Sequence, residues 1–371
     1  MDFSRWACVM VACGLGQTVW GADAPRPTRP SRPPVVVSPE VHADGRVTLR
    51  LLAPRAQEVE ATGPWGSGRT PLTREENGVW SITVGPVVPG VHEYSFQVDG
   101  MTLLDPANPA IKPMRQPRTS ILHLPGNPPL IHDFRDVPHG TVHHHTYWSK
   151  SLGRPRELVV YTPPGYERES NRRYPVLYLF HGSGDTQATW TVHGKAHWIL
   201  DNLLAEEKAR PMVVAMLDGH AVVRPGAWGT NSAAFERDLV EDALPYVEER
   251  YRVATDAAGR AIAGLSMGGE QSLRIGLNRY DQFAWIAGFS SAAPGKESIG
   301  RALSEPQAAN EAIRLLWIGC GKDDFLLDRN EALIEALKAA GVRHEWHLTE
   351  GNHSWPVWRR YLAELYPRLF R

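Results

Sequence analysis

The sequence predicts an α/β protein with a mostly parallel, doubly wound sheet, preceded by an all-β region. Three observations carry this. From Gly153 onward, unbroken apolar runs such as Tyr174–Phe180 and Met212–Leu217 alternate with helical patterns, as expected of strands covered by helices on both faces. From residue 35 to about 125, short runs alternate apolar and polar instead and end in polar turns, the mark of strands with one buried face. Between Arg260 and Leu273, an apolar run (Ala261–Ala263) meets Gly264-Leu-Ser-Met-Gly268 and then a helical pattern reaching about Arg279, which reads as strand, tight turn and helix with Ser266 at the apex.

The bulk properties narrow the function classes. With 371 residues there is enough chain for two domains. A net charge of −1 gives no global field toward nucleic acid or an anionic membrane, so neither is expected as a partner. Thirteen tryptophans are many; surplus tryptophan is usually core, but it is also the side chain on which sugars and aromatic rings stack.

Residues 1–24 read as an export signal: Arg5 supplies the charged region, Trp6–Val19 is largely apolar, and Gly21-Ala-Asp-Ala24 offers small residues for cleavage. That run is too short and interrupted for a membrane span. Met10-Val-Ala-Cys13 faintly resembles a lipobox, so a lipid anchor is an alternative fate. Secretion or periplasmic location follows from the signal alone, because Cys8 and Cys13 lie within it and the mature chain keeps only Cys320. Residues 25–34 are a Pro/Arg-rich linker.

Over 35–125, Val47–Leu52, Gly78–Val84 and Gly90–Val98 alternate, and Asp99-Gly100 turns the last into Met101–Leu104. Near-regular short strands indicate a β-sandwich. Its openings "VTLRLLAP", "NGVWSITV" and "GVHEYSFQVDG", with "DPAN" after them, resemble immunoglobulin-like early-set domains found beside glycan-active enzymes. Such domains bind carbohydrate or act as spacers; Trp65 and Trp80 are the sugar-stacking candidates, with core packing the alternative. Residues 126–144 read as a Pro/Gly/His-rich connector leading into the α/β part at 145–371. Within His143-His-His145 only the first and third would share a strand face, and no acidic or cysteine partner stands at ligand spacing, so no metal site is expected.

In the α/β part, Glu157–Tyr161, Tyr174–Phe180, Met212–Leu217, Phe283–Phe289, Arg314–Ile318 and His344–Leu348 read as strands. Trp198–Lys208, Phe235–Val247, Asp328–Ala340 and a segment from Trp355 read as helices. Ligands of such sheets bind at the carboxyl ends of the strands. Ser266 falls at one such end, Gly319-Cys-Gly-Lys-Asp-Asp-Phe325 at the next, and Gly351-Asn-His-Ser354 at the one after. Ser, then acid, then His is the chain order of a Ser-His-Asp triad on this architecture. His353 is the candidate base and Asp324 the candidate acid, with Asp323 as its rival. Glycines two positions either side of Ser266 remove clashes where strand and helix cross, and the Met267 N–H opens the helix as one oxyanion donor. His181-Gly-Ser183, after an early strand, offers Ser183 N–H as the second, with Gly182 allowing close approach and His181 bracing the loop.

"TPPGY", "YPVLYLFHGSGD", "WILDNLLAE", "FERDLVEDALPYVEERYRV" and "AIAGLSMGGEQSLRIGL" together resemble the putative-esterase (esterase D-like) group of α/β-hydrolases over about residues 145–371. That group includes the feruloyl and acetylxylan esterases of carbohydrate esterase family 1, enterochelin esterases and mycolyltransferases. The pairing with an early-set domain most resembles bacterial feruloyl esterases. The resemblance implies Ser266 as nucleophile, Asp324 as acid, His353 as base, and Ser183 and Met267 as oxyanion donors. Glu270 departs from it: many relatives carry a small or uncharged residue there, and the expectation is that it points along the helix to solvent. The implied activity is hydrolysis of feruloyl or related hydroxycinnamoyl esters of plant xylan without metal or cofactor, the partner being a plant polysaccharide ester. Trp190, Trp228 and Trp355, on loops at the strand ends, are candidates for stacking on an acyl group or sugar, with lid packing the alternative. The alternatives are an acetylxylan or short-chain acyl esterase, a catecholate-siderophore esterase, a non-catalytic glycan-binding protein, and a serine peptidase that no feature suggests.

Overall fold

A computed structural model describes residues 34–222 and 228–371. The export signal expected over 1–24 and nearly all of the 25–34 linker lie outside the described residues. Val36–Arg371 packs as one unit.

The chain first forms β1 (Glu40–Val41), β2 (Val47–Leu52), β3 (Val59–Thr62), β4 (Thr70–Pro71), β5 (Thr73–Arg74), β6 (Val79–Val84), β7 (Gly90–Val98), β8 (Met101–Leu103) and β9 (Ser120–Leu124). They make two antiparallel sheets, one ordered β1-β2-β6-β5 and the other β4-β3-β7-β8 with β9 on β7. The alternating residues Val47, Leu49 and Leu51 of one sheet and Val59, Ala61, Tyr94 and Phe96 of the other meet in a shared core. Trp80 belongs to that core and donates its indole N–H to Ala53 O at 3.0 Å. It is therefore a packing residue and not a sugar platform. Trp65 packs on the rim of the same core, half-buried, with its N–H on Thr70 Oγ1.

The second region carries β10 (Thr141–Ser149), β11 (Arg154–Thr162), β12 (Val176–Phe180), β13 (Val213–Leu217), β14 (Arg260–Leu265), β15 (Trp285–Phe289), β16 (Leu315–Gly321) and β17 (Glu345–Thr349) in the order β10-β11-β13-β12-β14-β15-β16-β17. β11 runs antiparallel to its neighbours and β13 through β17 are mutually parallel. Its helices are α1 (Thr189–Val192), α2 (Ala196–Ala205), α3 (Trp228–Arg237), α4 (Leu244–Arg250), α5 (Met267–Asn278), α6 (Gly300–Ser304), α7 (Pro306–Ala312), α8 (Leu327–Ala340) and α9 (Trp355–Leu365).

Unbroken apolar strands face helices on both sides, and their two-residue period divides the core. Val176, Tyr178 and Phe180 pack with α3, α4, α5 and α8 on one face, while Leu177 and Leu179 pack with α2 and α9 on the other.

Two sequence expectations need correction. β10 opens at Thr141, inside the stretch read as connector. It is an edge strand exposed along much of its length, so it carries no apolar run to announce it. There His143 bonds Thr162 and His145 bonds Tyr251, and no group of metal-ligating side chains gathers among the described residues. The single helix expected over Phe235–Val247 is instead the end of α3, a π-helical turn at Asp238–Ala243, and α4.

Candidate active site

Ser266 stands between β14 and α5 with φ 52° and ψ −113°, a conformation that costs a non-glycine residue energy and must be held by its surroundings. They do hold it: Ser266 N–H donates to Phe289 O at 2.9 Å and Ser266 O accepts from Ala292 N–H at 2.9 Å. The flanking glycines are steric necessities, since a Cβ on Gly264 would lie 2.4 Å from Gly268 O, and one on Gly268 2.6 Å from His181 O.

The loops that carry Asp324 and His353 meet because their backbones are tied. Lys322 N–H donates to Thr349 O and Asp323 N–H to Gly351 O. This sets the buried Asp324 under His353, whose Nδ1–H donates to its carboxylate at 2.9 and 3.0 Å. The rival Asp323 is exposed and makes no hydrogen bond to His353. With Nδ1 protonated, His353 Nε2 carries a lone pair, and it lies 3.1 Å from Ser266 Oγ, which donates to it. Burial works to raise the Asp324 carboxyl pKa, but the bonds from His353 and Leu326 N–H outweigh it and hold the group below the usual carboxylate range. The imidazole is gripped between Phe325, at 4.5 Å, and Trp358, edge-on at 4.9 Å. Ser266 can thus lose its proton to a base whose tautomer and orientation are fixed.

Two cavities open on Ser266. The larger, about 850 Å³, is walled by Met267, Glu270, Ala292, Pro294, Phe325 and Arg329 among others. The smaller, about 390 Å³, is more polar. Its walls come from Trp355 and Trp358, from His193 and Asp185, and also from Val91, His92 and Glu93 of β7 with Lys112 and Met114. The N-terminal sheets therefore form part of the wall of the cavity that opens on Ser266. They are fastened there by Arg359 of α9, which donates to Val91 O and His193 O, and by Lys112, whose ammonium meets Glu93 at 2.9 Å and Asp185 at 3.4 Å.

Ser183 is exposed on the rim of both cavities, and Gly182 sits so close over the serine that a Cβ there would lie 3.4 Å from Ser266 Cβ. Met267 opens α5, so its N–H has no partner within the helix.

The stacking tryptophans fare differently. Trp190 is 1% exposed, lies in α1, packs edge-on to Trp355 and donates to Phe180 O at 3.0 Å. It braces the strand end from inside and presents no face to a ligand. Trp355 borders the smaller cavity, but its ring is buried among Trp190, His193 and Trp358. Trp228 opens α3, and its side chain lies outside the described residues.

Glu270 also departs from expectation. It is half-buried on the larger cavity's wall, accepts from Ser232 Oγ at 2.7 Å and faces Arg274 at 3.4 Å. Burial raises its carboxyl pKa despite those partners.

Phe325, 77% exposed beside His353, was not singled out from the sequence. Its signal was its place directly after the acid. Glu93, on an alternating strand, and Lys112, on the loop before β9, had no such signal, since nothing in either segment says which distant cavity it will wall.

A family model described as "Putative esterase" matches residues 149–369. The chain belongs to this esterase family. The esterase is 34% identical over 342 residues to an endo-1,4-beta-xylanase/feruloyl esterase of Xylanibacter ruminicola, a match covering 90% of this chain and 46% of that relative, so it spans about half the relative's length. It is 25% identical to a solved ferulic acid esterase from Anaeromyces mucronatus, with TM-score 0.57 over 64% of this chain and 93% of that one. An enterobactin esterase from Shigella flexneri, 18% identical, aligns with TM-score 0.63 over 88% of this chain and 94% of its own, a likeness of fold alone. The α/β-hydrolase fold of the catalytic region follows from these matches.

Proposed function

We propose that this chain is a serine carboxylic-ester hydrolase that releases ferulate or a related hydroxycinnamate from plant cell-wall xylan. One observation carries it: Ser266 Oγ, His353 and Asp324 stand in a hydrogen-bonded row on a strained elbow at the mouth of two cavities. The similarity to a xylanase/feruloyl esterase and a ferulic acid esterase supports the choice of substrate.

Ser266 Oγ attacks the ester carbonyl as His353 Nε2 takes its proton, and Asp324 stabilises the imidazolium. The tetrahedral oxyanion is held by the Ser183 and Met267 N–H groups. The alcohol leaves with the proton from His353, and water, activated by the same base, hydrolyses the acyl-enzyme. The larger cavity, with Phe325, Ala292 and Pro294 on its wall, suits an aromatic acyl group and exceeds what an acetyl group needs, which favours the hydroxycinnamate over the acetylxylan alternative. The smaller, polar cavity suits the sugar alcohol.

The proposed organisation is an export signal over 1–24, a linker over 25–34, an immunoglobulin-like early-set β-sandwich over 35–125, and a catalytic domain that takes in β10 from Thr141. Its strand composition and two-sheet pairing support the sandwich reading. Export to the periplasm or exterior is the matching location; among the described residues no helix is long and apolar enough to cross a membrane.

Incubation with feruloylated and acetylated arabinoxylan, followed by product analysis, tests the reading. Free ferulate is expected from wild type, with a loss of about 10⁴-fold or more in Ser266→Ala. Acetate without ferulate, or an equally active Ser266→Ala, overturns it.

A further inference from the structure

His181 is completely buried, yet the triad does not use it. Its ring links two backbone peptides. Nε2 accepts from Gly219 N–H at 2.9 Å, and Nδ1 lies 2.8 Å from Gly182 O. Asp218 Oδ1 stands 3.4 Å from the same Nε2, but the shorter Gly219 bond occupies that lone pair. The neutral ring with its proton on Nδ1 is the form that fits, and Nδ1–H then donates to the Gly182 carbonyl.

That carbonyl also accepts from Asp185 N–H at 3.2 Å. A trans peptide is planar with its C=O and N–H pointing oppositely. Tying the Gly182 oxygen to His181 and Asp185 therefore turns the Ser183 N–H the other way, and Ser183 borders both cavities at Ser266. Gly219 completes the brace, for its own carbonyl accepts from Gln271 Nε2 at 2.9 Å and from Asn231 Nδ2 at 3.0 Å. Gln271 lies on α5, the helix that Met267 opens.

We propose that His181 is a positioning residue for the oxyanion hole: through Gly219 and Gly182 it locks the Ser183 amide toward the reacting carbonyl and sets its spacing from the Met267 amide. The inference rests on the esterase reading. It predicts a residue that acts on the transition state without touching substrate, because a peptide free to flip would present an oxygen where a donor is needed.

The test is steady-state hydrolysis of methyl ferulate by the full chain, with thermal unfolding of each variant alongside. His181→Phe keeps a ring without either hydrogen bond. His181→Asn keeps a donor near the Nδ1 position, and His181→Gln only a group near Nε2. Expected are a fall in kcat of about 10²-fold in His181→Phe, KM within threefold of wild type, and kcat at least tenfold higher in His181→Asn than in His181→Phe. A His181→Phe kcat within threefold of wild type, or equal kcat in the Phe and Asn variants, overturns the proposal. Should His181→Phe fail to fold, the Asn and Gln variants decide: Asn must exceed Gln at least tenfold in kcat, and equality overturns it. A wild type inert toward methyl ferulate and short-chain esters alike would instead overturn the esterase reading itself.

Discussion

At the residue scale, the site is a set of side chains whose chemistry is decided by what they touch. Asp324 differs from Asp323 only in being buried under His353. Phe325, exposed and tilted against His353, presents an aromatic face on the wall of the larger cavity. Phe325→Ala is expected to lower the ratio of kcat/KM for methyl ferulate over that for an acetate ester by about 3–10-fold, the worth of one aromatic contact. Glu270 yields a prediction in pH. Its folded-state pKa is raised by burial, so between its ordinary value and the raised one the native state binds more protons than the unfolded chain, and stability falls as pH rises through that window. Glu270→Gln does not titrate. Its Tm relative to wild type is therefore expected to be higher at pH 7 than at pH 4; an equal or lower difference at pH 7 counts against this account.

At the element scale, the π-helical turn between α3 and α4 carries two buried acids, Asp238 and Asp242, four residues apart and so on one face of the helix. That face meets β10, β11 and the turn between them. Asp238 accepts from Tyr147 Oη at 2.8 Å and from Arg156 Nε at 3.1 Å, and Asp242 accepts from Ser149 Oγ and Ser151 N–H. Asp238→Asn removes one charged partner of a buried guanidinium, and a loss of about 3 kcal/mol in urea unfolding is expected. The amphipathic pattern over Phe235–Val247 correctly indicated a helix packed on the sheet. It could not indicate the widened turn, because a single inserted residue in the hydrogen-bond ladder leaves the apolar period nearly unchanged.

At the scale of the whole molecule, the N-terminal sheets are a wall of the smaller cavity, held by Arg359 and by the Lys112–Glu93–Asp185 cluster. If that cavity seats the sugar alcohol, Lys112→Met should lower kcat/KM for a feruloylated arabino-oligosaccharide about tenfold more than for methyl ferulate, the worth of one charged hydrogen bond, since the methyl ester's alcohol is too small to reach the wall. An equal effect on both esters would mean that the wall plays no part in choosing the alcohol.

The order strand, Gly264-Leu-Ser-Met-Gly268, helix was legible because local sterics alone demand small residues at that crossing. The meeting of Ser266, Asp324 and His353 was legible because parallel strands deliver their carboxyl ends to one rim in sequence. The alternating runs of residues 35–125 likewise announced paired sheets with one buried face. Only the tertiary structure decided which tryptophans were core, which way Glu270 turned, where β10 began and which remote strand closed the cavity. Each of these depends on what packs against a side chain from elsewhere in the chain. Burial by a distant neighbour leaves no period in the local sequence from which to read it.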